Sequence, residues 1–145
     1  ERLGASYIDH EGQKKVPVML HRAMLGSLER FLGIVIENTY GWLPIWMHEV
    51  QVMVLGISDK HHDYVATVVK NLECKGVRAR ADYRAEKVGL KIREHTIART
   101  PFLIIIGDEE IATKSVSVRS GQGEQLGTMS TQDFSSYIEK LQEGV

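Results

Sequence analysis

Apolar residues recur along this chain at two different periods, and the switches between them mark out its elements. Near the start, Ala5–Ile8 and Val16–Leu20 are short, largely apolar runs on either side of a turn at His10-Glu11-Gly12, which predicts two short strands. Leu25, Leu28, Leu32, Val35 and Ile36 then fall three and four apart. That spacing predicts a helix from Arg22 to Asn38 with one apolar stripe, ended by Gly41 and Pro44. The segment Tyr40–Glu49 reads as a connector, and its two tryptophans, Trp42 and Trp46, are expected to wedge a junction.

After the connector the pattern becomes strand–helix–strand–helix–strand. Val50–Leu55 is apolar, and Ser58-Asp59 can cap a helix reaching Cys74 with Val65, Val68, Val69 and Leu72 inside. Val77–Asp82 is a second strand and Lys87–Arg99 a second helix. Phe102–Ile106 is apolar on both faces, as the centre of a covered sheet requires. Such alternation implies parallel strands with right-handed crossovers. Ser115–Arg119 then alternates, Ser120–Gly123 turns, and Gln125–Met129 returns. Ser130 caps a last helix with Phe134, Tyr137, Ile138 and Leu141 on its buried side. The expected fold is α/β, a mixed sheet of about five strands flanked by helices over residues 47–145, preceded by a strand–helix piece over 1–46.

Composition narrows this picture in three ways. A length of 145 residues suits one ordinary domain plus an attached piece, and 43% hydrophobic with 26% charged residues is the balance of a globular protein. No apolar run reaches the ~20 residues of a membrane helix, so no membrane partner is expected. The single cysteine, Cys74, excludes an internal disulfide and fits a reducing, cytoplasmic setting. The chain opens on Glu1, and it is expected to be a fragment of a longer protein.

The net charge of −1 conceals an uneven distribution. Between Lys75 and Arg99 there are eight basic residues (Lys75, Arg78, Arg80, Arg84, Lys87, Lys91, Arg93 and Arg99) against three acidic ones. Such a run is either a solvated face or a stripe that tracks phosphates. On the second reading, Lys91→Ala weakens binding to every RNA alike. The adjacent His61 and His62 point to different sides of a helix start and are expected at the surface.

The most informative stretch is Pro17–Phe31, a short apolar run entering a helix, with a histidine, a Gly-Ser pair and a Glu-Arg pair. Strand-to-helix entries with small residues and an arginine suit phosphate, because backbone N–H groups and a guanidinium converge there. His21-Arg22-Ala23, Gly26-Ser27 and Glu29-Arg30-Phe31 together resemble the third signature motif of class II aminoacyl-tRNA synthetases, in the HRAxxGSxERF form of threonyl-tRNA synthetases. The resemblance continues through Gln51-Val52, Ala81–Arg84, Glu86-Lys87, Lys91–Thr96 and Gly107-Asp108, which are similar to that family's carboxy-terminal anticodon-binding domain, in the bacterial rather than the eukaryotic cytosolic form.

The resemblance implies a threonine–tRNA ligase as the parent, using ATP and Mg, with Zn in its catalytic domain. Arg30 and Ser27 then match contacts to ATP and the adenylate, and His21 matches one of three zinc ligands. The other two lie upstream, so this piece is expected to hold no cofactor and to be inactive alone. Glu110 and Arg119 match residues that read the second and third anticodon bases of tRNA(Thr), and Lys87 and Arg93 fall in the matching basic helix region. Ala85 stands where some members have asparagine, and it cannot bond a base. The parent is expected as a homodimer held largely through the catalytic domain, and this piece as a monomer. The alternatives are an anticodon-binding module of another class II synthetase and a non-catalytic protein-interaction domain of the same fold.

Overall fold

The computed structural model describes residues 3–143. They divide into two compact units, Glu1–Ile34 and Val35–Val145.

In the first unit, strands β1 (Tyr7–Ile8) and β2 (Lys14–Lys15) form an antiparallel pair with Tyr7 opposite Lys15. Asp9 closes their turn: its Oδ1 accepts the N–H groups of Glu11 and Gln13, each at 2.9 Å. Lys15 pairs with the same carboxylate, and this pair first, then the Gln13 bond, holds the Asp9 carboxyl below its usual range. The expected strand at Val16–Leu20 does not form. Only two rungs exist, with no further strand alongside, and Val18 and Leu20 stay 89% and 93% exposed. A lone two-stranded hairpin has no face to bury.

The helix expected from Arg22 starts at Leu28. Helix α1 (Leu28–Asn38) is preceded by Gly26 at φ +66°, a left-handed conformation that cannot sit within a helix and so breaks the stripe after Leu25. Ser27 Oγ accepts the Arg30 N–H at 3.2 Å and caps the first turn. No residue of α1 is buried.

The second unit begins past the middle of α1 and holds the core. Its elements are β3 (Val52–Gly56), α2 (His62–Glu73), β4 (Ala79–Asp82), α3 (Val88–Ile97), β5 (Phe102–Ile106), α4 (Asp108–Thr113), β6 (Val116–Ser120), β7 (Gln125–Met129) and α5 (Thr131–Glu143). They build the expected five-stranded mixed sheet in the order β4-β3-β5-β6-β7. The first three strands are parallel, with Val52 beside both Ala79 and Phe102. The last two are antiparallel, with Phe102 opposite Ser120 and Val116 opposite Met129.

Strand alternation sorts the sheet residues onto two faces. Val52, Val54, Ala79, Ile104, Ile106, Val116 and Val118 share one core with Val65, Val68 and Leu72 of α2 and Phe134 and Ile138 of α5. The Phe102 and Phe134 rings meet edge-on at 5.7 Å. The register slips between Val118 and Arg119, where Leu126 is the extra residue on β7, next to Gly127 at φ +87°. This bulge lets Leu126 and Met129, three apart, both pack on the core.

Gln51, fully buried, ties the connector to β4. Its Oε1 accepts the Arg78 N–H at 2.9 Å and its Nε2 donates to the Ile45 carbonyl at 3.2 Å. Trp42 lies 4.9 Å beneath the Arg99 guanidinium, both within the second unit, whereas Trp46 is half exposed. No described helix is long and apolar enough to cross a membrane.

Candidate nucleic-acid interface

The carboxyl ends of β3, β4 and β5 and the second sheet face gather most of the polar side chains that the core face excludes. Helix α3 covers this face over β3 and reaches the end of β4 through Lys91 and His95. Beyond it Ser117 and Arg119 on β6 are half-buried, and Thr128 and Gln125 on β7 are exposed. One half of the face is thus open beside a basic helix.

At the end of β4, Asp82 is the hub. Its carboxylate is 5% exposed and accepts from Arg84 Nε (3.0 Å) and Nη2 (2.6 Å), from the Arg84 N–H (3.0 Å) and from His95 Nε2 (2.9 Å). The Arg84 guanidinium, with the His95 bond adding to it, holds the Asp82 carboxyl far below the usual carboxylate range. Arg84 also pairs with Glu94 of α3 at 2.7 Å. Both ends of the loop between β4 and α3 are therefore stapled, and Ala85 and Lys87 are carried on it. An open cleft of about 380 Å³ lies against this loop, lined by Gly56, Ser58, Asp59, Arg84, Lys87 and Lys91.

Lys91 does not belong to a phosphate-tracking stripe. It is 2% exposed, and its Nζ donates to the Asp82 carbonyl at 3.1 Å. Most of the basic run stays exposed but is engaged in contacts within the chain. Lys75 bonds Gln132 and Ser135, Arg78 bonds the carbonyls of Trp46 and His48, Arg80 pairs with Glu49, and Arg99 stacks on Trp42. Among the described residues Lys87, Arg93 and Arg99 of that run are exposed side chains without a hydrogen bond or ion pair, and Arg99 is stacked on Trp42. Lys91→Met, which keeps the buried stem and removes the donor, is expected to lower unfolding free energy by about 1 kcal/mol. The salt dependence of RNA binding should not change, which denaturant titration and filter binding together would check.

The strand ends of β3 and β5 are joined by a second cluster. His61 is 2% exposed, not at the surface as expected, while His62 is partly exposed. His61 Nδ1 accepts the Ser58 N–H at 3.3 Å, which leaves Nε2 as the donor to Asp108 Oδ1 at 3.1 Å. Lys60 pairs with Asp108 at 2.7 Å, and Lys60 first, then His61, holds the Asp108 carboxyl below its usual range. Asp108 opens α4, a short helix that the apolar pattern does not predict. Its signal was present: a glutamate three residues after Gly107 at the end of an apolar strand. Glu110 Oε2 accepts the Gly107 N–H at 2.8 Å, so this carboxylate is fixed at the sheet end and half-buried. Tyr64 lies close by, and its hydroxyl is shifted up by burial and by the Glu110 charge.

Arg119 stands on β6 opposite Leu103 and Gln125. Its guanidinium lies beside the Ser120–Gly123 turn, 3.5 Å from where a Cβ on Gly123 would be. Its Nε is buried and has no hydrogen-bond partner. A buried donor left without an acceptor costs about 1–3 kcal/mol. The structure thus places Arg119, Glu110, Lys87 and Arg93 all in the second unit. His21, Ser27 and Arg30 lie in the first, all exposed, and Ser27 is engaged in its cap. Among the described residues no group of three or more His, Cys, Asp or Glu side chains could hold a metal ion. His21 alone does not make a metal centre.

Residues 50–141 match the family described as the anticodon binding domain. The chain is 53% identical over 138 residues to a threonine–tRNA ligase of Coxiella burnetii, covering 95% of this chain and 21% of that protein. A threonine–tRNA ligase of Francisella tularensis subsp. novicida is 52% identical over 140 residues, covering 97% and 22%. The chain thus spans about a fifth of the length of these relatives. Among solved structures, the RNA binding domain of threonyl-tRNA synthetase from Cryptosporidium parvum Iowa II superposes with a TM-score of 0.80 at 30% identity, over 97% of this chain and 36% of that one. Histidyl-tRNA synthetase from Nostoc shares the fold at a TM-score of 0.60 and 22% identity, over 75% of this chain and 27% of that one.

Proposed function

This chain belongs to the anticodon binding domain family, and from that premise we propose that it reads the anticodon loop of tRNA(Thr) as the carboxy-terminal part of a cytoplasmic threonine–tRNA ligase. The observation that carries the reading is the Arg119 guanidinium, whose buried Nε lacks an acceptor on an open sheet face. Single-stranded RNA loops are read by splaying bases and bonding their edges. Arg119 supplies fixed donors for a base carbonyl. Glu110, anchored through one oxygen to Gly107, keeps its other oxygen for a base N–H. Lys87 and Arg93 supply charge for the phosphates. Ala85 adds no bond to a base, so its loop contributes through Lys87.

The catalytic roles belong to the longer protein. There Arg30 and Ser27 would contact ATP and the adenylate, and His21 would join two ligands from outside this chain at zinc. Exposed Val18, Leu20, Met24 and Leu28 (89%, 93%, 79% and 61%) fit a segment packed within a catalytic domain. The chain alone is expected to bind RNA without activating threonine, and a homodimer belongs to the whole ligase.

Filter binding of the chain to hairpins carrying the threonine anticodon tests the reading, with the second and third bases replaced in turn. Equal affinity for all of them would end it. In the same assay Lys87→Ala is expected to weaken every hairpin alike and to reduce the slope of log K against log salt by about 0.7, the share of one single-strand phosphate contact. An unchanged slope would remove Lys87 from the interface.

A further inference from the structure

We propose that Ser117 is a specificity-determining residue of this face, bonding a base edge between the positions served by Glu110 and Arg119. The inference rests on the anticodon reading above and names a group to which that reading gives no role.

The sheet register places it. Ser117 lies opposite Ile105 on one side and Thr128 on the other, so these three side chains form a row across β5, β6 and β7 on the open face. Arg119 is two residues along the same strand and shares that face. In the other direction, the Ser115 N–H bonds the Glu110 carbonyl at 3.0 Å, which fixes α4 to the start of the same strand. Glu110, Ser117 and Arg119 therefore occur in that order along one rail. RNA that engages both end groups has to pass over Ser117.

The chemistry of the row suits a base. Ile105 is partly exposed and gives an apolar surface for a base to lie on. The hydroxyls of Ser117 and Thr128 make no hydrogen bond within the protein among the described residues, in contrast to Ser115, whose Oγ is 2.6 Å from Thr113 Oγ1. Arg119 can only donate and an ionised Glu110 can only accept. A hydroxyl does both, and so meets either a carbonyl or a ring N–H of a base lying between them. Thr128 is exposed and further from the rail, which leaves Ser117 as the reader.

The test uses the chain itself, the threonine-anticodon hairpin and the hairpins with the second or third anticodon base replaced. Ser117→Ala is expected to weaken the cognate hairpin about five-fold, the effect of one net hydrogen bond, and to leave at least one replaced hairpin within two-fold of wild type. Ser117→Thr, which keeps the hydroxyl on a strand-compatible side chain, is expected to restore the preference, and thermal midpoints should stay equal. Wild-type affinities from Ser117→Ala on all hairpins would overturn the inference, as would an equal loss on all of them. If the wild-type chain itself fails to discriminate, the anticodon reading falls first, which keeps the two failures apart.

Discussion

Arg119→Ala is expected to weaken binding of the threonine-anticodon hairpin by about 10- to 100-fold, the 1–3 kcal/mol of a lost base contact. Affinity for a hairpin with the matching base replaced should hardly change. The asymmetry follows from what the side chain is not doing. Among the described residues it makes no ion pair or side-chain hydrogen bond, and its Nε already lacks a partner. Removing it leaves no orphan behind, so thermal stability should be kept and the loss should be one of recognition alone. Arg119→Lys should not rescue, because an ammonium cannot reproduce the planar fork. Dissociation constants over the base-replaced hairpins decide the matter: equal losses on cognate and replaced hairpins would make Arg119 a phosphate contact.

That separation of recognition from folding was only partly legible in the sequence. The apolar periods predict the five strands of the second unit and its helices α2 and α5, because each buries a stripe or face within that unit, whereas α3 buries only Lys91. They overreached in the first unit, where Val16–Leu20 and Leu25 have strand and helix character and nothing to pack against. Hydrophobic pattern states what a segment can bury, whereas a strand also needs a neighbour. The basic run misled for a related reason. Charge counting treats Lys91, Arg78 and Arg84 as equivalent to Lys87 and Arg93. Only the fold reveals which cations already have carbonyls and carboxylates around them. His61 is buried against the surface expectation for a similar reason, since its partner Asp108 is 47 residues away. Arg119 and Glu110 were named through resemblance, and composition alone would have left both as surface charges.

The same fold makes the loop that carries Lys87 depend on a carboxylate at its root. Asp82→Asn is expected to lower unfolding free energy by about 2–3 kcal/mol at neutral pH, below the ~3–5 kcal/mol for breaking a fully buried charge pair because Arg84 is half exposed. The amide can serve neither the bidentate Arg84 contact nor His95 as an anion does, and Arg84 is left with Glu94 alone. The pH dependence carries a definite sign. The Asp82 carboxyl is depressed in the folded chain relative to about 3.9 in an unfolded one. Its contribution is therefore fully present above roughly pH 4 and is lost as the pH falls from there toward the folded value. Wild type and Asp82→Asn should thus differ by a constant amount from pH 7 down to about pH 5 and converge in more acidic solution. Urea titrations at several pH values would measure this, and a difference that persisted undiminished to pH 2 would show that packing rather than the carboxylate charge holds the loop. Because His95 and Arg84 tether α3 to this one group, the variant should also lose part of the Lys87 salt slope while sparing the base preference set by Arg119. That pattern would distinguish a loop set free from a domain unfolded.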